Sequence, residues 1–270
     1  MDAAVVSGHR AVDRYLAEGF EAVPGMSSRF ATAICGHVVR RQTELGVSGS
    51  IAEIGTFEGR FFIGLALALA EGERAYGFDT FDWPDAGVQE RFVENCRRNG
   101  ADLARIEAVK RDSRALGAAE LREIVGGEPV RFFHIDGDHG LESLAHDLAL
   151  AHAVLHPQGV ICTDDMLHPE YPFLVLAVHD YLRAHPEMRL LCVIDREDIV
   201  AAAKFLICRA DAVALYEEDL MASFRPVQYL MGGDALGHLC VVLTPSRGYS
   251  PSAEDAVGRR TRDRYTRSDP

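Results

Sequence analysis

The sequence predicts an α/β fold: a doubly wound, mostly parallel sheet with N-terminal helices and an antiparallel strand addition at the C-terminal end. Three observations predict it. From about residue 50, short β-rich apolar runs alternate with longer amphipathic stretches, the order that parallel pairing through right-handed crossovers requires. Glycines and acids gather where those runs end, which is where an open α/β sheet binds its ligands. The last third is rich in strands with fewer helices between them, which suggests antiparallel additions.

Taken in order, "SSRFATAICGHVVRRQTELG" reads as a helix with Ser27 or Ser28 as its cap, Phe30, Ile34 and Val38 on one face and Gly46 past its end. It belongs to an N-terminal helical cap over residues 1–49. "IAEIG", "RAYGFDT", "RIEAVKRD", "VRFFHID" and "GVICTDD" behave as the five parallel strands. In "GLESLAHDLALAHAVLHPQG", Leu141, Leu144, Leu148, Ala151 and Leu155 recur at threes and fours until Pro157 and Gly159 stop the helix. A helix around "PFLVLAVHDYLRAHP" leads to the strands "RLLCVID", "AAAKFLICR" and "GHLCVVLTP", which close a domain spanning residues 50–245. Residues 246–270 are polar and without periodicity, so a flexible tail is expected there.

Composition narrows the function. The chain has 270 residues, 48% of them hydrophobic, enough to fill a sizeable core. Twenty-eight basic against 41 acidic side chains give a net charge of −13, which repels a phosphate backbone and argues against nucleic acid as partner. Six cysteines are scattered one per element without a CxxC pair, as buried free thiols in a reducing compartment would be. The longest apolar run, "FFIGLALALA", is too short to span a bilayer, and no export signal is evident, so a cytoplasmic protein is expected.

The strand ends carry the chemistry. In "EIGTFEGRF", Gly55 and Gly59 permit a tight turn into a helix whose N-terminus favours negative charge, as a nucleoside-bearing cofactor requires. Asp79 ends the second strand, where an acid commonly takes both ribose hydroxyls, and Asp112 ends the third, placed to meet a base edge. "HIDGDH" and "CTDDM" bring Asp136, Asp138, His139, Asp164 and Asp165 to neighbouring strand ends. Four carboxylates there repel one another unless a proton or hard cation compensates them, and oxygen ligands without cysteine favour Mg²⁺, Ca²⁺ or Mn²⁺. Such an ion acidifies a bound hydroxyl, leaving a histidine to take the proton. The same acids also suit bland roles, with Asp138 capping a helix and Asp164 and Asp165 in a turn. His152 and His156, four apart, make a metal site conceivable, but without an HExxH pattern they read as solvated or packed side chains. Trp83 suits either a substrate mouth or a loop anchor.

In series, "EIGTFEG", "YGFDTFD", "KRDS", "FFHIDGDH" and "GVICTDD" resemble the class I S-adenosylmethionine-dependent methyltransferases, over roughly residues 50–170. More narrowly they are similar to the metal-dependent O-methyltransferases of sugars and other hydroxylated natural products, of the macrocin and mycinamicin type. That resemblance implies a Rossmann-like fold, S-adenosylmethionine as cofactor, a divalent cation of the Mg²⁺ kind, a small hydroxylated acceptor and a homo-oligomer. By position, it implies that Glu53, Gly55, Thr56 and Gly59 hold the methionine part, Asp79 the ribose, and Asp112 with Ser113 the adenine. Asp136 falls in the cofactor set too, and Asp136, Asp164 and Asp165 form the metal set. The proton acceptor is His139, in a DxxH pattern, or Asp138, in a DGD pattern; an imidazole is better matched to neutral pH. The chain departs from the pattern in lacking a fuller GxGxG and in carrying Asp-Asp where some relatives have Glu-Asp. A nicotinamide-dependent oxidoreductase, a metal-assisted hydrolase and a non-catalytic nucleotide-binding module are the rival readings.

Overall fold

Five strands with near-continuous apolar sequence lie side by side in parallel: β1 (Ser50–Ile54), β2 (Ala75–Asp79), β3 (Ile106–Lys110), β4 (Val130–Ile135) and β5 (Leu155–Met166). The computed structural model describes residues 5–224, 228–229 and 237–245, so the expected tail over 246–270 lies outside the described residues. β6 (Met188–Ile194) and β7 (Ala203–Arg209) extend the sheet, β7 antiparallel to both β5 and β6, followed by β8 (Gln228–Tyr229) and β9 (Val241–Leu243). The order is β3-β2-β1-β4-β5-β7-β6-β9-β8, the doubly wound sheet with the expected antiparallel addition. Strand order reverses between β1 and β4, which opens a crevice at their carboxyl ends.

Both faces are covered. Alternation along the strands divides the core: Val160 and Cys162 of β5 and Leu206 and Cys208 of β7 join one buried cluster, while Ile161 and Ile207 join the other. α1 (Arg10–Glu18), α2 (Arg29–Glu44), α3 (Arg60–Ala66), α4 (Val88–Arg98) and, later in the chain, α8 (Val213–Ser223) supply the first cluster. α5 (Ala118–Ile124), α6 (Leu141–Val154) and α7 (Leu174–Ala184) supply the second. Ser28 is the cap of α2, its hydroxyl accepting from Ala31 N at 3.0 Å, and Phe30, Ile34 and Val38 are buried as the periodicity requires. All six cysteines are free and buried. No helix among the described residues is long and apolar enough to cross a membrane.

One boundary differs from expectation. α6 stops at Val154, and Leu155 to Gln158 already belong to β5. Proline disfavours the helical region for the residue before it, so Pro157 pushes His156 into extended backbone, and Leu155 pairs with Val130 instead of continuing the helix. The pairing then jumps to Phe132 with Val160, so the sheet absorbs the extra residues as an irregularity.

At the amino ends of β1 and β4, Arg131 is fully buried. Its Nη2 donates to Glu73 at 2.6 Å and its Nη1 to Val39 O at 2.8 Å and to Gln42 at 3.2 Å. Glu73 also accepts from the backbone N–H groups of Gly49 and Ala70, at 3.1 and 2.7 Å. This network ties α2 to the sheet at the end away from the crevice, with Arg131 Nε left unpaired.

Candidate active site

The crevice is a cleft of about 690 Å³. Its floor is the ends of β1, β2 and β4, and its walls come from residues 24–27, Trp83, residues 111–114 and Tyr171. Of the residues singled out from the sequence, Glu53, Gly55, Thr56, Asp79, Asp112, Ser113, Asp136, Asp138 and His139 line it, whereas Gly59, Asp164 and Asp165 are outside its lining.

The two glycines of the first turn have structural duties. Gly55 has φ +82°, and a Cβ there would lie 1.7 Å from the carbonyl oxygen of Asp136, so glycine lets the end of β1 cross the end of β4. Gly59, at φ +92°, starts α3. The polar groups of this turn are different: Glu53 Oε2 and Thr56 Oγ1 are buried with no hydrogen-bond partner, and both residues line the cleft. Buried polar atoms are normally satisfied, so this pair fits a polar ligand lying on the turn. Burial pushes the Glu53 carboxyl up.

Asp79 accepts from Phe57 N and Phe81 N, both at 2.8 Å, one on each carboxylate oxygen. It thereby pins two loop residues with φ near +47° and +48°, and each oxygen keeps a lone pair for a ribose hydroxyl. Asp112 is committed further. Both its oxygens accept from the Arg114 guanidinium, at 2.8 and 3.0 Å, which holds its carboxyl below the usual range. Ser113 beside it is buried, and its carbonyl meets His146 Nε2 at 3.0 Å.

Four adjacent strands put a polar side chain on the α3 face one step after an apolar one: Ile51 then Glu53, Phe132 then His134, Cys162 then Asp164, and, running the other way, Leu206 then Lys204. This row closes the apolar cluster under the cleft. The His134 ring packs against Phe61, tilted by 32° with centroids 4.1 Å apart, and lies 3.5 Å from Glu53. Lys204 Nζ reaches His134 Nε2 at 3.1 Å and forms an ion pair with Asp164 Oδ2. Burial pulls the pKa of this lysine down, but the Asp164 and Asp136 carboxylates more than offset this and raise it. Burial likewise disfavours ionised Asp164, and Lys204 reverses that, holding it below the carboxylate range.

Ligand atoms of Asp136, His139 and Asp165 lie within 4.8 Å of one another, as do those of His134, Asp136 and Asp164. The expected trio of Asp136, Asp164 and Asp165 is therefore divided: Asp164 turns inward to Lys204, and His139 comes in beside Asp165, with Nε2 2.8 Å from Oδ2. Two carboxylates and an imidazole at the cleft rim fit a divalent cation. Asp165 sits at φ +59°, strained for a non-glycine residue. Burial and the Asp164 charge push Asp136 well up, whereas the hydrogen bond to Asp165 raises His139. Asp138 does not cap α6, whose N-cap is Gly140 without a side-chain bond; it accepts from Ser143 Oγ at 2.6 Å and Gly140 N at 3.2 Å, which lowers its pKa.

Sequence reasoning missed Lys204, His134 and Asp147. Each is a charged or polar residue in phase with apolar neighbours, a signal that period-2 and period-3.6 patterns do contain. Tyr171 joins the site as well: its ring stacks on His139 at 4.1 Å and 15°, and on His168 at 5.0 Å and 23°. Trp83, 66% exposed at the lip, lies 5.5 Å from the Phe57 ring. His152 groups not with His156 but with His185 and Glu187, at the opposite end of the sheet.

Residues 52–166 match a family model described as a methyltransferase domain. No curated protein matches the chain. Among solved structures, the O-methyltransferase from Bacillus cereus in complex with SAH aligns at TM-score 0.53 and 16% identity, over 74% of this chain and 90% of that one. TomG from Streptomyces achromogenes, an O-methyltransferase of tomaymycin synthesis solved with SAM, aligns at 0.53 and 19%, over 76% and 92%. CalS11, a TDP-rhamnose 3′-O-methyltransferase of calicheamicin biosynthesis, aligns at 0.52 and 18%, over 75% and 92%. At these identities the likeness is one of fold.

Proposed function

We propose that the chain, whose residues 52–166 match a methyltransferase domain, is a class I S-adenosylmethionine-dependent enzyme that methylates a hydroxyl of a small molecule, a sugar or another natural-product intermediate, with a divalent cation of the Mg²⁺ kind at the cleft rim. The observation that carries this reading is the meeting of His139, Asp165 and Asp136 beside the cleft, the imidazole 2.8 Å from Asp165. O-methyltransferases among the structures of similar fold support the acceptor class.

When bound, the cofactor supplies an electrophilic sulfonium methyl and the cation a Lewis acid that acidifies the acceptor hydroxyl. The chain's own residues bind, orient and move the proton. Glu53 Oε2 and Thr56 Oγ1 offer unpaired polar atoms to the methionine end, and Asp79 its free lone pairs to the ribose. Asp136 and Asp165 carry the negative charge that holds the cation. His139 accepts the hydroxyl proton, its ring plane fixed by Tyr171 and its protonated form stabilised by Asp165. Asp138, already accepting from Ser143 and Gly140, is a poor proton acceptor at neutral pH.

Hydride transfer to a nicotinamide has no use for this rim group, and the domain match does not point to it. The test is calorimetric titration with S-adenosylhomocysteine and with NAD, each with and without Mg²⁺, repeated on Asp79→Asn. Homocysteine-analogue binding that Asp79→Asn weakens is the expected result; NAD binding in its place overturns the reading.

A further inference from the structure

Two candidate cation sites overlap at the strand ends, sharing Asp136: one adds His139 and Asp165, the other His134 and Asp164. Their surroundings differ. Lys204 Nζ makes an ion pair with Asp164 and lies 3.1 Å from His134 Nε2, so it engages two of the three ligands of the inner set. It is 1% exposed and held 4.5 Å from the centroid of the Phe61 ring, so it has no other place to go. No ligand of the outer set is bonded to it.

Charge follows the same division. Asp136, Asp164 and Asp165 carry three negative charges; with Asp164 neutralised by Lys204, two remain for a divalent ion. An ion in the inner set would face an ammonium group without water between them, a repulsion that low dielectric makes large.

Resting on the metal-dependent reading above, we propose that Lys204 is a resident cation that plugs the inner site, directs the divalent ion to the Asp136 and Asp165 carboxylates at the rim, leaves His139 free to take the proton, and keeps the ion's affinity modest. Lys204 acts through Asp164 and His134 and is a positioning residue. It touches neither cofactor nor acceptor in this assignment, and Asp164 is a ligand of lysine, not of metal.

The test reads Mn²⁺ binding to the whole purified chain by electron paramagnetic resonance and calorimetry, without turnover. Lys204→Met is expected to bind Mn²⁺ roughly ten- to a hundredfold more tightly than wild type, or to take up a second ion, as changes beside a metal site commonly do in magnitude. Asp164→Asn is expected to leave wild-type Mn²⁺ affinity nearly unchanged, whereas Asp165→Asn reduces it strongly; this comparison stands even where Lys204→Met does not fold. Equal affinity and stoichiometry in wild type and Lys204→Met, or loss of binding in Asp164→Asn, overturns the proposal while leaving metal dependence intact. Uptake by Lys204→Met alone supports the plug and removes the metal-dependent reading; no uptake by any variant overturns both.

Discussion

Two buried ion pairs sit at opposite ends of the same sheet, and they are finished differently. At the amino ends, Arg131 and Glu73 are enclosed by Val39, Gln42 and two backbone N–H groups, so both partners are tied to neighbouring elements. At the carboxyl ends, Lys204 and Asp164 adjoin a row in which Glu53 and Thr56 still have an orphaned oxygen. Desolvating a charge is costly at either end. Arg131 also keeps one buried Nε unpaired, but no cleft opens onto it, so the cost there serves the fold; at the carboxyl ends the unpaired oxygens of Glu53 and Thr56 line the cleft, where a polar ligand can complete them.

That contrast breaks if the wrong end governs turnover. The largest effect is expected at the cleft rim: His139→Ala should lower methyl transfer to the best acceptor of a hydroxylated panel by ~10²–10⁴-fold. Its melting temperature should stay near that of wild type, as a half-exposed side chain allows. A variant that melts early with normal turnover would show that His139 belongs to the fold and not to the site.

Next, Arg131→Leu leaves Glu73 buried without its cation and should cost about 3–5 kcal/mol of stability in denaturant titration. Binding of S-adenosylhomocysteine by the folded fraction should be unchanged. Weakened binding at full folding would join the two ends into one unit and dissolve the comparison.

Asp147 sharpens it from between the two ends. This carboxylate on α6 is fully buried, and neither oxygen makes a well-formed hydrogen bond among the described residues. Burial raises its pKa from 3.8 to about 6. The folded state therefore holds the proton more tightly than the unfolded one, so the penalty is absent well below pH 3.8, grows as pH rises toward 6 and is complete above it. Asp147→Asn should thus stabilise the protein by roughly 2–3 kcal/mol at pH 7, with the gain fading on acidification through that window. A constant gain at every pH would contradict it. Smallest of all, Asp138→Asn should change turnover by less than about tenfold, because its carboxylate serves Ser143 and Gly140 and takes no proton from the acceptor.

Much of this was legible in the chain. Parallel strands buried on both faces write themselves as apolar runs, and Asp79, Asp112 and Asp136 stand where those runs end, so motif and topology reinforced each other. The cap at Ser28 and the face of α2 followed from local chemistry alone. What escaped depends on pairing across distance. Lys204 and Asp164 are 40 residues apart, and nothing near either one announces the other. Their meeting needs β7 to run antiparallel beside β5, a fact of sheet order. Gly55 was legible as a needed glycine but not for its reason, since the atom it avoids, the carbonyl oxygen of Asp136, lies on another strand.

Trp83 is the only tryptophan in the chain, and it stands exposed at the lip of the cleft against Phe57. Indole emission from this protein therefore originates at one place, the doorway of the cleft. Quenching or a colour shift on titration reports arrival at that doorway without a label, and an unchanged spectrum during unfolding elsewhere reports that the doorway is still intact.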